Sequence, residues 1–445
     1  IAIIEVGGTV GDIESQPFLE AIRQFRHEIG YQNSVLIHVT LVPYLKASGE
    51  LKTKPTQQSV KALQGMGISP DVIVCRTEVP LEDGIESKIA LFCNVPEDHV
   101  LQNLDVEYLY EAPLAMEKER LAHVVCECLN LPCPEPQLGD WKQMVDALKN
   151  PTSEVTIALV GKYIQLHDAY LSVMEALKHG GIANRTKVTI KWVDSEFLKP
   201  EALDDTFAGV DGIIIPGGFG SRGTEGMILA ANYARENKIP FLGICLGMQM
   251  AMVAFARNVL GYADANSSEL DPETTHPVVD LMPDQNGVEN LGGTLRLGSY
   301  PCVLDKKSKA YSLYGTDMIN ERHRHRFEIN NDYRDDFTSH GMMLSGQSPD
   351  GHIVEMIELP DHPFYVGIQA HPEFKSRPNH AHPLFAGFVE SAEEQGVLRR
   401  AKKLLMKRNH LSEPEAHRYL QKTSMDTGRT MAESAHMVTM LIQED

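Results

Sequence analysis

The run Phe241-Leu-Gly-Ile-Cys-Leu-Gly-Met-Gln249 sets a cysteine between two glycines, directly after a short apolar stretch. Phe241, Leu242 and Ile244 read as the end of a buried strand, and residues 246–256 are apolar at helical spacing, so Cys245 falls on a strand-to-helix turn. Gly243 and Gly247 relieve crowding on either side of so tight a turn. The amino end of the following helix favours thiolate over thiol and offers N–H groups to a developing oxyanion. Alone, Cys245 would read as a buried structural cysteine. A nucleophile needs a base, however, and the base an orienting group. Val366-Gly-Ile-Gln-Ala-His-Pro-Glu373 supplies a histidine just past a strand and a carboxylate two positions on, which makes Cys245, His371 and Glu373 a candidate triad. Ile213-Ile-Ile-Pro-Gly-Gly-Phe-Gly220 is a strand ending in a glycine-rich loop. It reads either as a plain turn or as a loop whose backbone N–H groups approach a tetrahedral intermediate.

Around these pieces, strands at 186–193, 212–215 and 240–244 alternate with helices at 169–179 and 227–237, which predicts a parallel sheet covered on both faces. Glu154-Val-Thr-Ile-Ala-Leu-Val-Gly-Lys-Tyr163 opens this domain, whereas residues 286–304 look like antiparallel hairpins. Upstream, Asn130-Leu-Pro-Cys-Pro-Glu-Pro-Gln137 cannot continue a helix and reads as a linker, followed by a helix at 141–148.

The three pieces, in this order, resemble a class I glutamine amidotransferase domain, which hydrolyses glutamine through a glutamyl thioester and releases ammonia. The resemblance makes Cys245 the nucleophile, His371 the base and Glu373 its orienter, with Gly218 and Leu246 at the oxyanion hole. Gln249, Glu269 in Asn266-Ser-Ser-Glu269 and Arg326 in Arg322-His-Arg-His-Arg326 match glutamine-holding positions of one branch, the CTP synthase family.

The amino-terminal part carries the same resemblance. Ile1-Ala-Ile-Ile-Glu-Val-Gly-Gly-Thr-Val-Gly-Asp-Ile-Glu-Ser15 reads as a buried strand ending in a carboxylate, then a glycine loop. Within the resemblance, Glu5 matches a magnesium ligand, and Asp12, Ile13 and Glu14 match part of the pyrimidine nucleotide site. Lys52, Thr53, Lys54, Pro55, Thr56 and Gln57 match the family's UTP-contacting loop, a pairing of lysines and hydroxyls suited to a polyanion. Lys88 matches another nucleotide contact, and Asp105 and Val106 fall where the family holds adenine. No Gly-x-x-x-x-Gly-Lys-Ser/Thr run occurs, although in the family a phosphate loop that cradles ATP lies over a hundred residues before this point. The chain is therefore expected to be a fragment rather than a synthase that lost its kinase-like half-reaction.

The last fifty or so residues differ. Three helices are expected: a basic amphipathic one from Leu398, a second capped by Ser412 with Pro414 in its first turn, and a third over 430–442. This segment resembles an ANTAR domain, the three-helix RNA-binding module of antitermination proteins. Arg399, Arg400, Lys402, Lys403, Lys407 and Arg408 offer a basic stripe suited to phosphates; a solvated or oligomerising tail is the plainer reading.

The expected fold class is thus α/β: a partial P-loop-type amidoligase domain at residues 1–130, a linker at 131–153, an amidotransferase domain at 154–392 and an all-α tail at 395–445. A net charge of −20 argues against general nucleic-acid or anionic-membrane binding, and no apolar run reaches transmembrane length. Seven cysteines, an odd number, suit a reducing cytoplasm, and Cys126, Cys128 and Cys133 lack the paired spacing and fourth ligand of a zinc site. The resemblance implies UTP, ATP and glutamine as substrates, Mg2+, GTP as allosteric activator with Arg296 a candidate contact, and a homotetramer. The expected activity is ATP-dependent amination of UTP to CTP. The alternative is a glutaminase-only protein, or a nucleotide- or glutamine-sensing RNA-binding regulator.

Overall fold

The computed structural model describes residues 1–281 and 295–443. The expected hairpins at 286–294 lie outside the described residues. The chain divides into two compact units, Ile1–Val145 and Asp146–Asp445.

The first unit holds a three-stranded parallel sheet, β1 (Ile37–Leu41), β2 (Val72–Thr77) and β3 (Val100–Leu104), with β2 in the middle. Helices α1 (Lys54–Gly65) and α2 (Ile85–Cys93) pack on it through a core of Val60, Ile73, Cys75, Ile89 and Cys93. The strand expected at Ile1 does not form. Residues 1–7 pair with no strand, and Ile1, Ile3 and Ile4 are exposed. An extended segment with no neighbour to share its backbone hydrogen bonds gains nothing from β geometry, whatever its side chains.

The second unit is built on a nine-stranded sheet. Its strands are β4 (Ser153–Gly161), β5 (Thr186–Asp194), β6 (Gly212–Ile215), β7 (Phe241–Ile244), β8 (Arg296–Leu304), β9 (Met318–His325), β10 (Met343–Gln347), β11 (Val354–Glu358) and β12 (Tyr365–Ile368). The spatial order is β9-β8-β10-β11-β12-β7-β6-β4-β5. From β12 through β5 neighbours run parallel, and from β9 to β12 they run antiparallel. The central strands are apolar on every residue because both faces are covered. Ile213 and Ile215 enter one core with Phe241, while Ile214, Leu242 and Ile244 enter the other. Helices α3 (Leu171–Ala183), α4 (Thr224–Glu236) and α5 (Leu246–Phe255) supply the covering layers.

Two glycines set how closely α5 approaches the sheet. A Cβ on Gly247 would lie 2.1 Å from the Ile215 carbonyl oxygen, and one on Gly243 would lie 2.8 Å from the Gly247 carbonyl carbon.

The tail is not set off by a linker. Helix α6 (Pro383–Asn409) runs unbroken through the boundary expected between 392 and 395. It is followed by α7 (Glu413–Thr427) and α8 (Met431–Gln443). Ser412 and Glu415 form a capping box, with the Ser412 N–H donating to Glu415 at 2.8 Å. Val397, Ala401, Leu405, Ala416, Leu420, Ala435 and Val438 make a core shared by the three helices. Part of the basic stripe is engaged within the unit, while Arg400, Lys403, Lys407 and Arg408 are exposed. Arg399 pairs with buried Asp211 at 2.7 Å, Arg400 reaches the Glu154 carbonyl at 3.5 Å, and Lys402 pairs with Glu413 at 3.1 Å. Gly396 lets the helix close on Asp211, whose carboxylate a Cβ would approach to 2.7 Å.

Gly247→Ala is expected to push α5 off β6 and cost about 1–3 kcal/mol of stability, read as a lowered denaturation midpoint with an unchanged slope.

Candidate active site

Strands β12, β7, β6 and β4 are consecutive neighbours and parallel, so their carboxyl ends line up on one edge, where α/β sheets present their ligand crevices. Cys245 follows Ile244, the last residue of β7, and His371 lies three residues past Ile368, the last of β12. Gly217 and Gly218 follow Ile215, the last of β6. Sequence segments separated by more than a hundred residues meet because their strands are adjacent.

Cys245 has φ 51 and ψ −104, a region that residues bearing a Cβ rarely enter. Its N–H donates to the Ile368 carbonyl at 2.7 Å, and its carbonyl accepts from the Gln249 N–H at 3.2 Å. The turn is thereby held by β12 on one side and by the first turn of α5 on the other. His371 bonds through Nδ1 to Glu373 Oε1 at 2.8 Å, leaving a buried Nε2 that makes no hydrogen bond. A Cβ on Gly217 would lie 2.8 Å from His371 Cε1 and 3.5 Å from Cys245 Cβ, so only glycine fits between imidazole and cysteine. Burial works against the imidazolium, but Cys245 and Glu373 outweigh it, and the His371 pKa is raised to about 10. The arrangement supplies a nucleophile, a base whose tautomer is set by a carboxylate, and backbone amides at a helix start.

Gly218 and Leu246 stand together, since a Cβ on Gly218 would meet Leu246 Cδ2 at 3.5 Å. The charges of Lys162 and Arg326 both act on Glu269, whose pKa burial raises and those cations lower. Gln249 is buried, and its amide donates to the Phe327 carbonyl at 3.0 Å and to Gln369 Oε1 at 3.2 Å.

Two residues here escaped the sequence reading. Gln369, fully buried, donates to Cys245 Sγ at 3.6 Å and links the thiol to Gln249. It lies within the same run as His371, two positions before it. Lys162 directly follows β4, the strand beside β6, and its burial is the signal a sequence does not carry.

Arg296 is not a free surface group. It is buried, pairs with Glu355 at 2.6 Å and stacks over Tyr300 at 4.4 Å. The alternation of β9 turns His323 and His325 inward and Arg322 and Arg324 outward. His323, His325 and Glu355 form the one group among the described residues with metal-ligand spacing. Burial pushes the two imidazoles down, to about 2 and about 3, and pushes Glu355 up. Arg296 already holds one oxygen of the carboxylate, while His323 Nε2 and Glu355 Oε2, 3.6 Å apart, are buried without a hydrogen-bond partner.

In the first unit, Thr53 precedes α1 without a side-chain cap bond, and its hydroxyl accepts from the Gln57 amide at 3.1 Å. Thr56 donates to the Leu41 carbonyl at 3.1 Å, at the carboxyl end of β1. Lys52 pairs with Glu50, while Lys54 and Pro55 are exposed. Lys88 is exposed on α2. Asp105 and Val106 follow the end of β3, Asp105 pairing with Arg76 at 3.3 Å. These positions share the carboxyl edge of the small sheet. Asp12 accepts from the Thr9 N–H at 2.8 Å and precedes the short turn of Ile13 and Glu14, both exposed. Glu5 is exposed and belongs to no group of three or more metal-ligating side chains among the described residues.

The fold of the second unit is that of a class I glutamine amidotransferase, and the model of that family, "Glutamine amidotransferase class-I", matches residues 165–391. A structure of the Trypanosoma brucei CTPS glutaminase domain with bound acivicin is similar at a TM-score of 0.51 and 38% identity, covering 54% of this chain and 93% of that one. The model "CTP synthase N-terminus" matches residues 1–131, and an ANTAR domain model matches 388–438. The CTP synthase of Ruminiclostridium cellulolyticum is 60% identical over 394 residues, 88% of this chain and 74% of the relative. That of Clostridium beijerinckii is 58% identical over 395 residues, 89% of this chain and 74% of the relative. The chain belongs to the CTP synthase family.

Replacing Glu373 by Gln removes the carboxylate that favours the imidazolium. The His371 titration followed by NMR is expected to move down from about 10 toward the ordinary histidine value. Glutaminase turnover should fall by about 10³–10⁴-fold as the imidazolium loses the carboxylate that orients and stabilises it.

Proposed function

We propose that the chain is a glutamine-hydrolysing CTP synthase, a C–N ligase that aminates UTP with ammonia released at Cys245. The observation that carries this reading is the meeting of Cys245, the His371–Glu373 pair and the Gly217–Gly218 loop on three neighbouring strand ends, in a chain of this family.

The Cys245 thiolate attacks the carboxamide carbon of glutamine, and the oxyanion forms against the amides of Gly218 and Leu246. His371, protonated and held through Nδ1 by Glu373, gives its proton to the departing ammonia. A water then attacks the thioester, delivering its proton to His371 and freeing glutamate and the thiolate. Glu269 suits the α-amino group of glutamine, and Arg326 and Gln249 complete the glutamine-binding set. UTP and ATP belong to the first unit, with Asp12, Ile13, Glu14, Lys52, Thr53, Lys54, Pro55, Thr56, Gln57 and Lys88 on UTP and Asp105 and Val106 on adenine. ATP phosphorylates the 4-oxygen of UTP, which ammonia then displaces. Magnesium accompanies the triphosphates, and Glu5 is its family-matched contact. An exposed carboxylate outside any group of three or more ligands makes no dedicated magnesium site among the described residues. GTP as activator, a homotetramer and a cytoplasmic location complete the reading; no described helix is long and apolar enough to cross a membrane.

An RNA contact through the tail is a second proposal, supported by the ANTAR match and by exposed Lys403 and Lys407. The relatives do not favour a regulator in place of a synthase.

In a full-length version, Cys245→Ala is expected to abolish CTP formation with glutamine while leaving formation with ammonia intact; undiminished glutaminase in this variant would remove the triad. Tail binding of RNA should weaken steeply between 50 and 200 mM salt and be lost in Lys403→Ala plus Lys407→Ala; no gel shift at low salt rules it out.

A further inference from the structure

Lys162 is the only buried lysine among the described residues, 3% exposed. Buried lysines are rare unless paired, and Glu269 acts on this one through its charge rather than as a salt-bridge partner among the described contacts. Its ammonium instead donates to the carbonyls of Phe219, at 3.0 Å, and of Gly220. Its backbone is pinned on both sides: the N–H donates to the Tyr170 hydroxyl at 2.9 Å, and the carbonyl accepts from Arg222 at 3.1 Å. The stem runs beside Gly218, where a Cβ would lie 3.7 Å from Lys162 Cε.

The peptide joining Phe219 to Gly220 is planar and trans, so its C=O and N–H point to opposite sides. Its C=O accepts from Lys162, and its N–H favours the ionised Glu269 carboxylate. One peptide is therefore held by Lys162 and acted on by Glu269, immediately after the Gly217–Gly218 pair, of which Gly217 faces Cys245 and His371. Burial depresses the Lys162 pKa to about 8, with Glu269 opposing that shift and Arg222 adding to it. A lysine whose pKa is lower folded than unfolded gains relative stability above the unfolded value near 10.5 and loses it as pH falls through about 8. At neutral pH its charge thus costs the fold some stability.

We infer that Lys162 is a positioning residue for glutamine hydrolysis: it holds the 217–220 loop in the orientation that stabilises the oxyanion and ties that loop to the glutamine-contacting Glu269. This rests on the glutaminase reading of Cys245.

The test compares the wild-type chain with Lys162→Met and Lys162→Arg in four measurements: glutaminase kcat and KM, inhibition by glutamate γ-semialdehyde, alkylation of Cys245 by acivicin, and Tm. The aldehyde forms a thiohemiacetal that needs the oxyanion donors, whereas alkylation needs chiefly the thiolate. Lys162→Met is expected to lose about 10–100-fold in kcat and similarly in aldehyde affinity. Its alkylation rate should stay near that of the wild type and its Tm should be no lower. Lys162→Arg, which cannot be deprotonated, should retain aldehyde affinity above pH 8, where the wild type loses it. Wild-type kcat and aldehyde affinity in Lys162→Met overturn the inference. So does identical pH dependence in wild type and Lys162→Arg, which decides the matter if Lys162→Met does not fold. Absent glutaminase and absent alkylation in the wild type would instead overturn the reading of Cys245.

Discussion

The second unit depends on the backbone of one residue being held where a side chain does not ordinarily allow it. Cys245 sits at positive φ because β7 must end and α5 begin within a single residue. That geometry costs of order 1–3 kcal/mol and persists only where its surroundings over-determine it. They do so from several directions: β12 accepts the Cys245 N–H, α5 begins at Leu246, and Gly247 brings the helix against the Ile215 carbonyl. The apolar strands on either side supply the burial that makes this arrangement the low-energy one.

Strand order turns that local strain into a site. Neighbouring parallel strands deliver a thiol, an imidazole, a glycine loop and an ammonium to one edge, each one to three residues past a strand end. Short connections leave little conformational freedom, so relative positions come from the hydrogen-bond register of the sheet rather than from the loops. On the antiparallel side, Arg296, Glu355, His323 and His325 fill the interior with a polar network. It joins β8, β9 and β11, next to the strand from which His371 emerges.

The parts legible in the sequence were those governed by local pattern. The elbow at Cys245, the strand before His371 and the Glu373 spacing follow from apolar runs, glycines and the chemistry a thiol requires, and the parallel arrangement follows from alternating strands and helices. Three things were not legible. The segment at Ile1 has the composition of a strand but no partner, and composition says nothing of partners. Arg296 looks like an available cation until burial against Glu355 is known. Lys162, at a strand end, has no periodic signature because its importance comes from a loop nearly sixty residues away.

The unbroken helix α6 makes the angular position of the tail a matter of residue count. Each residue advances an α-helix by about 100° and 1.5 Å. Gly396 and Arg399 dock on Asp211, while Val397, Ala401 and Leu405 face the tail's own core. A single insertion beyond Arg399 would swing α7 and α8 by more than a quarter turn about that axis, carrying with them whatever surface they present. The tail is thus geared to the amidotransferase through the phase of a single helix.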